Sequence, residues 1–363
     1  MSSPLRIGQI RQRLRALGGK AGHEQRVLRL WAQALPQDSG RRRPEDFLPL
    51  AVRNDLPALT AELQALARLH SAHPGEDGSA RLLVALADGQ TVESVLLPRG
   101  GGLCISTQVG CAVGCVFCMT GRDGLSRQLG SAEIVAQVVL ARGLRRIDKV
   151  VFMGMGEPAH NLDNVLEAIE LLGTLGAIGH KNLVFSTVGD RRVFERLPLG
   201  PVKPALALSL HSTDAGLRAR LLPRAPRIDP AELVALGDRY ARATGYPMQV
   251  QWTLLEGVND TPQELDGIVR LLAGRHAMLN MIPYNQVDGL AFRRPAMEHA
   301  AALARQLHRR GVLTKLRQSA GQDIDAGCGQ LRSRQAAPRT VHVHVHAQRA
   351  VAPPAGTVEM RAG

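Results

Sequence analysis

Three cysteines fall within eight residues, Cys111-Ala-Val-Gly-Cys115-Val-Phe-Cys118, with the spacing C-x3-C-x2-C. Thiolates are soft ligands, and such a set suits an iron–sulfur cluster or zinc. A structural zinc site is normally closed by four ligands, and no fourth Cys or His lies close by. Cys104, seven residues upstream, could close a zinc knuckle, but nothing around it favours that role. A four-iron cluster on three thiolates instead leaves one iron open to a small molecule, which is a catalytic arrangement. Cys104 and Cys328 stand apart from the trio. In a chain expected to be cytoplasmic, this distribution points to metal or redox chemistry rather than a disulfide framework.

A second segment, Val150-Val-Phe-Met-Gly154-Met-Gly156-Glu157-Pro158, runs from an apolar strand into glycines and a carboxylate. Glycines let a backbone approach a ligand, and Glu157 could pair with an ammonium group. Ser186, Ser209, His211 and Asn285 each end or follow a candidate strand. Each alone reads as a cap or turn residue. Together they occupy one place, outside the carboxyl ends of strands, where parallel α/β folds bind ligands.

Those strands are expected at Leu103–Thr107, Lys149–Met153, Asn182–Ser186, Ala205–Leu210, Gln249–Leu254, Met278–Ile282 and Val312–Leu316. Helix signals lie between them. Thr261-Pro-Gln-Glu264 reads as a capping box with proline at the first helical position, followed by Leu265, Ile268, Val269 and Leu272. Asn161 can cap a helix bearing Val165, Ile169 and Leu172, and Ser131 opens one bearing Ile134, Val135, Val138 and Val139. The fold class is therefore α/β, a parallel sheet covered by helices and either open or rolled toward a barrel. Right-handed crossovers put every strand's carboxyl end on one rim. Residues 1–75 are expected to form a basic helical accessory domain, 76–331 the catalytic domain, and 332–363 a polar tail. In the tail, His342, His344 and His346 alternate and are assigned no function.

The chain carries a net charge of +13. Residues 1–50 hold ten Lys/Arg against four Asp/Glu. Such a patch suits nucleic-acid phosphates, and a solvated arginine-rich surface accounts for charge alone equally well. No apolar run reaches the roughly 20 residues that span a bilayer, so no membrane partner is expected.

Taken together these motifs resemble the radical S-adenosylmethionine (SAM) RNA-adenine methyltransferases of the RlmN/Cfr type. The matching pieces are Cys104-Ile-Ser-Thr-Gln-Val-Gly-Cys111, the three-cysteine loop, and Phe152-Met-Gly-Met-Gly-Glu157-Pro158. They continue with Ser209-Leu-His211, Gly257-Val-Asn-Asp260 and Gly321-Gln-Asp-Ile-Asp-Ala-Gly-Cys328-Gly-Gln-Leu331. The match runs from about Glu93 to Leu331, and its Cys104 and Cys328 blocks are more specific than the three-cysteine spacing alone.

The resemblance implies a partial (β/α)6-type barrel and one [4Fe-4S] cluster on Cys111, Cys115 and Cys118. It implies two SAM molecules per turnover, contacted by Gly156, Glu157, Ser186, Ser209, Leu210, His211 and Asn285. Cys328 would take a methyl from the first SAM. The second would be cleaved reductively to a deoxyadenosyl radical that abstracts hydrogen from the S-methyl group. The resulting methylene radical would add to carbon 2 or 8 of an adenine in ribosomal or transfer RNA. Glu93 would accept the ring proton, and Cys104 would release the product through a transient disulfide with Cys328. An electron-donor protein such as flavodoxin or ferredoxin is implied as a partner.

Three segments depart from the family's pattern: Ser212-Thr213-Asp214, Leu222-Pro-Arg-Ala-Pro-Arg227 and the short linker Pro98-Arg-Gly-Gly-Gly102. They leave the exact RNA target open. Two other readings compete. One is a radical-SAM enzyme on a peptide or small molecule. The other is a non-enzymatic, metal-stabilised RNA-binding protein, against which the 3% aromatic content counts mildly.

Overall fold

The computed structural model describes residues 4–40, 42–98, 100–287 and 289–332. The His342, His344 and His346 alternation lies outside the described residues.

Four helices open the chain: α1 (Ile7–Ala16), α2 (Ala21–Ala32), α3 (Pro44–Phe47) and α4 (Leu50–Ala65). The helical stretch stops ten residues before the expected boundary. Residues 67–74 instead form β1 (Ala67–Pro74), which pairs antiparallel with β2 (Ala80–Leu86), itself antiparallel to β3 (Thr91–Leu96). β3 pairs antiparallel with β4 (Gly102–Cys104), which places Val95 opposite Cys104.

From β4 onward the strands run parallel. A small hairpin, β5 (Gln108–Gly110) and β6 (Leu125–Gln128), encloses the cysteine loop and leads into α5 (Ser131–Leu144). Then follow β7 (Lys149–Phe152), α6 (Leu162–Thr174), β8 (Leu183–Thr187), α7 (Arg191–Arg196) and β9 (Ala205–Ser209). The last units are α8 (Ala215–Leu221), α9 (Pro230–Thr244), β10 (Met248–Leu254), α10 (Pro262–Leu272), β11 (Ala277–Pro283), α11 (Met297–Arg309) and β12 (Thr314–Leu316). One sheet results, in the order β1-β2-β3-β4-β7-β8-β9-β10-β11-β12, with β4 to β12 all parallel. β1 and β12 stay unpaired with each other, so this is the open, partial barrel and not a closed one. All seven expected strands are present.

Helix starts show how the sheet is fixed. Thr261 caps α10 by accepting from the Glu264 amide, but the expected reciprocal bond from Glu264 does not form. Its carboxylate accepts from the Thr213 amide and hydroxyl, at 2.7 and 2.6 Å, and from the Ser212 hydroxyl. The charge is used to hold the turn after His211. Asn161 likewise makes no side-chain cap. Its amide donates to the Thr107 and Leu129 carbonyls, tying the start of α6 to the segment between β4 and α5. Ser131 is the first residue of α5, and its hydroxyl accepts from the Ile7 amide, docking α1.

The helical unit is fused to the barrel by burial and by hydrogen bonds. Ile7, Ile10, Leu14, Val27 and Leu28 are buried in the same core as Val135, Val138 and Ile169. Gln33 donates to the Leu175 carbonyl at 2.7 Å, and Arg142 donates to the Gly176 carbonyl at 2.7 Å and to that of Ala32. No helix among the described residues is long and apolar enough to cross a membrane.

Candidate active site

A cavity opens at the carboxyl ends of β7, β8, β9 and β10. Its wall includes Cys111, Cys115 and Cys118, together with Gly156, Glu157, Ser186, Ser209, His211 and Cys328. These come from five chain segments, and the rim predicted by parallel topology brings them together. Leu210, by contrast, is fully buried in the core, and Asn285, Cys104 and Glu93 stand behind the wall.

The cysteine loop is clamped from two sides. Val116 donates its amide to the Leu221 carbonyl at the end of α8, and Arg224 donates to the Val113 carbonyl. The Met119 amide donates to the Gly329 carbonyl at 2.8 Å, and the Thr120 hydroxyl to that of Leu331 at 2.6 Å. Burial pushes the Cys111 thiol up to about 12 and also raises those of Cys115 and Cys118. Three thiols in this setting ionise only against bound positive charge. Among the described residues no three Cys, His, Asp or Glu side chains converge closely enough to close around one metal ion. Cys111, Cys115 and Cys118 line the same cavity, and three thiolates are a donor set that fits a four-iron cluster with a free corner.

The two glycines of the β7 motif line the cavity and also pack closely against the segment behind it. A Cβ on Gly154 would lie 2.6 Å from the Ile105 carbonyl oxygen. Gly156 has φ +101°, and its Cβ would meet the Gln108 side chain at 2.6 Å. They let the strand end pack against residues 105–108. A Gly156→Ala change should therefore destabilise the metal-free fold by about 1–3 kcal/mol, read as a lower denaturation midpoint. An unchanged midpoint would show that the turn relaxes without cost.

That turn delivers Glu157, which is 5% exposed. Its carboxylate accepts from the Ala159 and Val188 amides, at 3.1 and 3.0 Å. Burial nevertheless raises its pKa to about 7. A carboxylate walled from water needs a cation to ionise fully.

His211 adopts φ +62°, a left-handed conformation unusual for a non-glycine residue. Asn259 donates to its carbonyl at 2.8 Å, and Glu264 holds the next two residues. Its Nδ1 accepts from the Thr253 amide at 2.9 Å, so the ring proton sits on Nε2. Burial lowers the imidazole pKa to about 3, keeping it a neutral hydrogen-bond donor. Its ring meets Phe117 of the cysteine loop edge-on at 5.0 Å.

Cys328 lies accessible on the cavity wall, on a segment held by Asn285, whose amide donates to the Ser319 hydroxyl and the Cys328 carbonyl at 2.8 and 3.0 Å. The Asn285 Oδ1 is buried with no hydrogen-bond partner among the described residues. Surrounding protein raises the Cys328 thiol pKa, against the effect of its hydrogen bond with Ser319, and the charge of Cys118 acts on it in the same direction. Cys104, buried on β4, feels the charge of Cys328 in turn. All five cysteines are free. Glu93 is fully buried: its carboxylate pairs with Arg81 at 2.5 Å and accepts from the Arg332 amide at 2.9 Å. It thereby anchors the chain four residues beyond Cys328.

Sequence reasoning missed Gln251 and Thr253, which also line the cavity. The signal was present, since on β10 these polar residues alternate with buried Val250, Trp252 and Leu254. Arg218 was missed too. It is buried under the site, donating to the Val188 and Ser209 carbonyls, and burial lowers its pKa to about 10. No local pattern marks a helical arginine as buried.

Comparison with known proteins gives concordant results. The sequence profile of the radical SAM superfamily matches residues 105–272. A relative from Leptothrix cholodnii named "Probable RNA methyltransferase" is 74% identical over 341 residues, covering 94% of this chain and 98% of that protein. One of the same description from Methylibium petroleiphilum is 77% identical over 330 residues, covering 91% and 93%. The crystal structure of a radical SAM methyltransferase from Sphaerobacter thermophilus superposes with a TM-score of 0.78 at 33% identity, covering 91% of this chain and 98% of that one.

Proposed function

Because the chain belongs to the radical SAM family of methyltransferases, we propose that it methylates an adenosine ring carbon, C2 or C8, in ribosomal or transfer RNA, with Cys328 as methyl carrier. The observation that carries this reading is the grouping of Cys328 with the cysteine-loop cavity on one side and Cys104 on the other.

Cys111, Cys115 and Cys118 would hold the [4Fe-4S] cluster, which when bound supplies the electron that splits SAM to a deoxyadenosyl radical. Glu157 would receive the SAM ammonium. His211 would offer its Nε2 proton to an acceptor of the same ligand. Cys328 would accept the methyl of a first SAM and lose one hydrogen atom to the radical formed from a second. Its methylene carbon then bonds to the adenine ring, the ring proton leaves to a base, and one electron is given up. Glu93 would be the base, and freeing its carboxylate would require both the Arg81 pair and the Arg332 amide to release it.

Release follows from sulfur chemistry. Attack by the Cys104 thiolate on the Cys328 sulfur forms a disulfide and breaks the sulfur–carbon bond. The carbon leaves with the electron pair and takes up a proton, becoming the methyl group. The disulfide must be reduced by external thiols before the next turnover. The electron for SAM cleavage would come from a flavodoxin or ferredoxin.

The test is to map modified adenines by mass spectrometry in RNA from cells with and without the gene, and to reproduce the mark with anaerobically reconstituted protein. Absence of any gene-dependent adenine methylation would remove the proposal.

Glu157 supplies a pH prediction. Raised to about 7, it is largely protonated below that pH and charged above it. A cationic ligand prefers the charged form, so SAM affinity should rise with pH through about 7 and fall about tenfold per unit below it. Calorimetry on reconstituted protein at pH 6, in buffers of different ionisation enthalpy, should show nearly one proton released per SAM bound. Glu157→Gln should bind more weakly and release none. A pH-independent affinity in the wild type would exclude this pairing.

A further inference from the structure

A second cavity lies at the seam between the helical unit and the barrel. Its walls include Arg26 and Arg29 of α2, Arg42, Phe47 and Leu175. Arg26 is 7% exposed, donates once to the Gln37 carbonyl at 3.1 Å, and leaves its Nε buried without an acceptor. The guanidinium groups of Arg26 and Arg42 both stand over the Phe47 ring, 5.9 and 5.7 Å from its centroid. Nearby Arg11 and Arg15 converge on Glu24. Among the described residues the three arginines of the cavity have no carboxylate partner.

Three like charges around one cavity repel each other, and a buried N–H without an acceptor is costly. A bound anion relieves both, and the guanidinium fork matches two oxygens of a phosphate. The location restricts which anion. α6 begins beside Glu157 at the catalytic rim, and its 13 residues run away from it toward Leu175. The second cavity is therefore about 20 Å from the first along the helix axis.

We propose that this arginine pocket is a second RNA-binding site, gripping a backbone phosphate of a folded RNA whose target adenine sits in the distant catalytic cavity. The inference rests on the RNA-methyltransferase reading. RNA is favoured over a lone metabolite because the first fifty residues carry an excess of positive charge and the chain nets +13. Spanning both cavities takes a structured molecule, so the pocket selects shape rather than sequence.

The test uses full-length, cluster-loaded protein carrying Arg29→Glu/Arg42→Glu, two exposed changes. Arg305→Glu/Arg309→Glu on α11 is the control of equal charge. The probes are protein-free ribosomal RNA, unfractionated transfer RNA and hexaadenylate, each titrated at several salt concentrations. For at least one folded RNA the pocket variant should bind about tenfold or more weakly than the control, with a log K against log salt slope lower by about 1 to 2. Hexaadenylate binding, SAM cleavage and the cluster spectrum should match the control. Arg26→Gln should reproduce part of the loss.

Equal weakening in the control, or of hexaadenylate, overturns the pocket's role. So does inorganic phosphate binding that the variant abolishes while folded RNA still binds normally, which would make it a free-anion site. A wild type that binds no RNA at all removes the functional reading itself. A wild type that binds RNA as well as the pocket variant does removes this inference alone.

Discussion

A Cys328→Ala enzyme is expected to load its cluster, bind and cleave SAM, and yet transfer no methyl group to RNA. Removal of a residue that carries the transferred group as a covalent intermediate costs on the order of 10⁶-fold, leaving no measurable product. The structure makes the variant interpretable. Cys328 is accessible, and its segment is held by backbone contacts that alanine keeps: Asn285 donates to its carbonyl, and the Gly329 and Leu331 carbonyls accept from the cysteine loop. Mass spectrometry of the wild-type peptide should find an S-methyl group on residue 328, and none in the variant. Methylated RNA made by Cys328→Ala would defeat the methyl-carrier role while leaving the radical SAM assignment intact.

The contrast with a cluster-ligand variant separates two failures. Cys115→Ala should lose iron, SAM cleavage and methylation together, because the other two thiols cannot hold a cube with one open corner. Cys328→Ala should lose methylation alone.

The parallel strands were legible because buried apolar runs such as residues 150–152 and 183–185 end in polar or glycine residues, and helices separate them. The antiparallel strands β1 and β2 were not. In β1, Arg68, His70, Ser71 and His73 present little apolar alternation, and a register irregularity between Leu69 and Ser71 breaks what there is. In the site, spacing and shared strand-end position pointed to Cys111, Cys115, Cys118, Glu157 and His211, and the structure brings these to one cavity. What sequence could not give is where a side chain spends its hydrogen bonds. Glu264 reads as half of a capping box, yet its carboxylate holds Ser212 and Thr213, part of a segment that departs from the family's pattern. Gly154 and Gly156 read as ligand cradles and line the cavity, but they also make room for Ile105 and Gln108. Those uses depend on partners 50 residues away, which no local window contains.

On the proposed route Cys104 would separate bond formation from bond release, and its removal should trap the enzyme between them. In Cys104→Ala the Cys328 methylene can still add to the ring, because that step uses only Cys328, the radical source and a base. The thiol left beside Cys328 is then Cys118, a proposed cluster ligand, and the sulfur–carbon bond is stable to water. The expected product is a covalent RNA–protein adduct that accumulates toward one RNA per chain and survives denaturing electrophoresis, with little released methylated RNA. Nuclease digestion should leave a single adenosine-derived mass on the peptide containing residue 328. Burial on β4 raises the Cys104 thiol pKa and disfavours its thiolate. A protonated thiol is a poor nucleophile, so the proposed release would need a base or changed surroundings to form the thiolate. A double variant, Cys104→Ala/Cys328→Ala, must give no adduct. Should Cys104→Ala release methylated RNA at the wild-type rate, the sulfur-exchange route is wrong and another thiol or base completes the reaction.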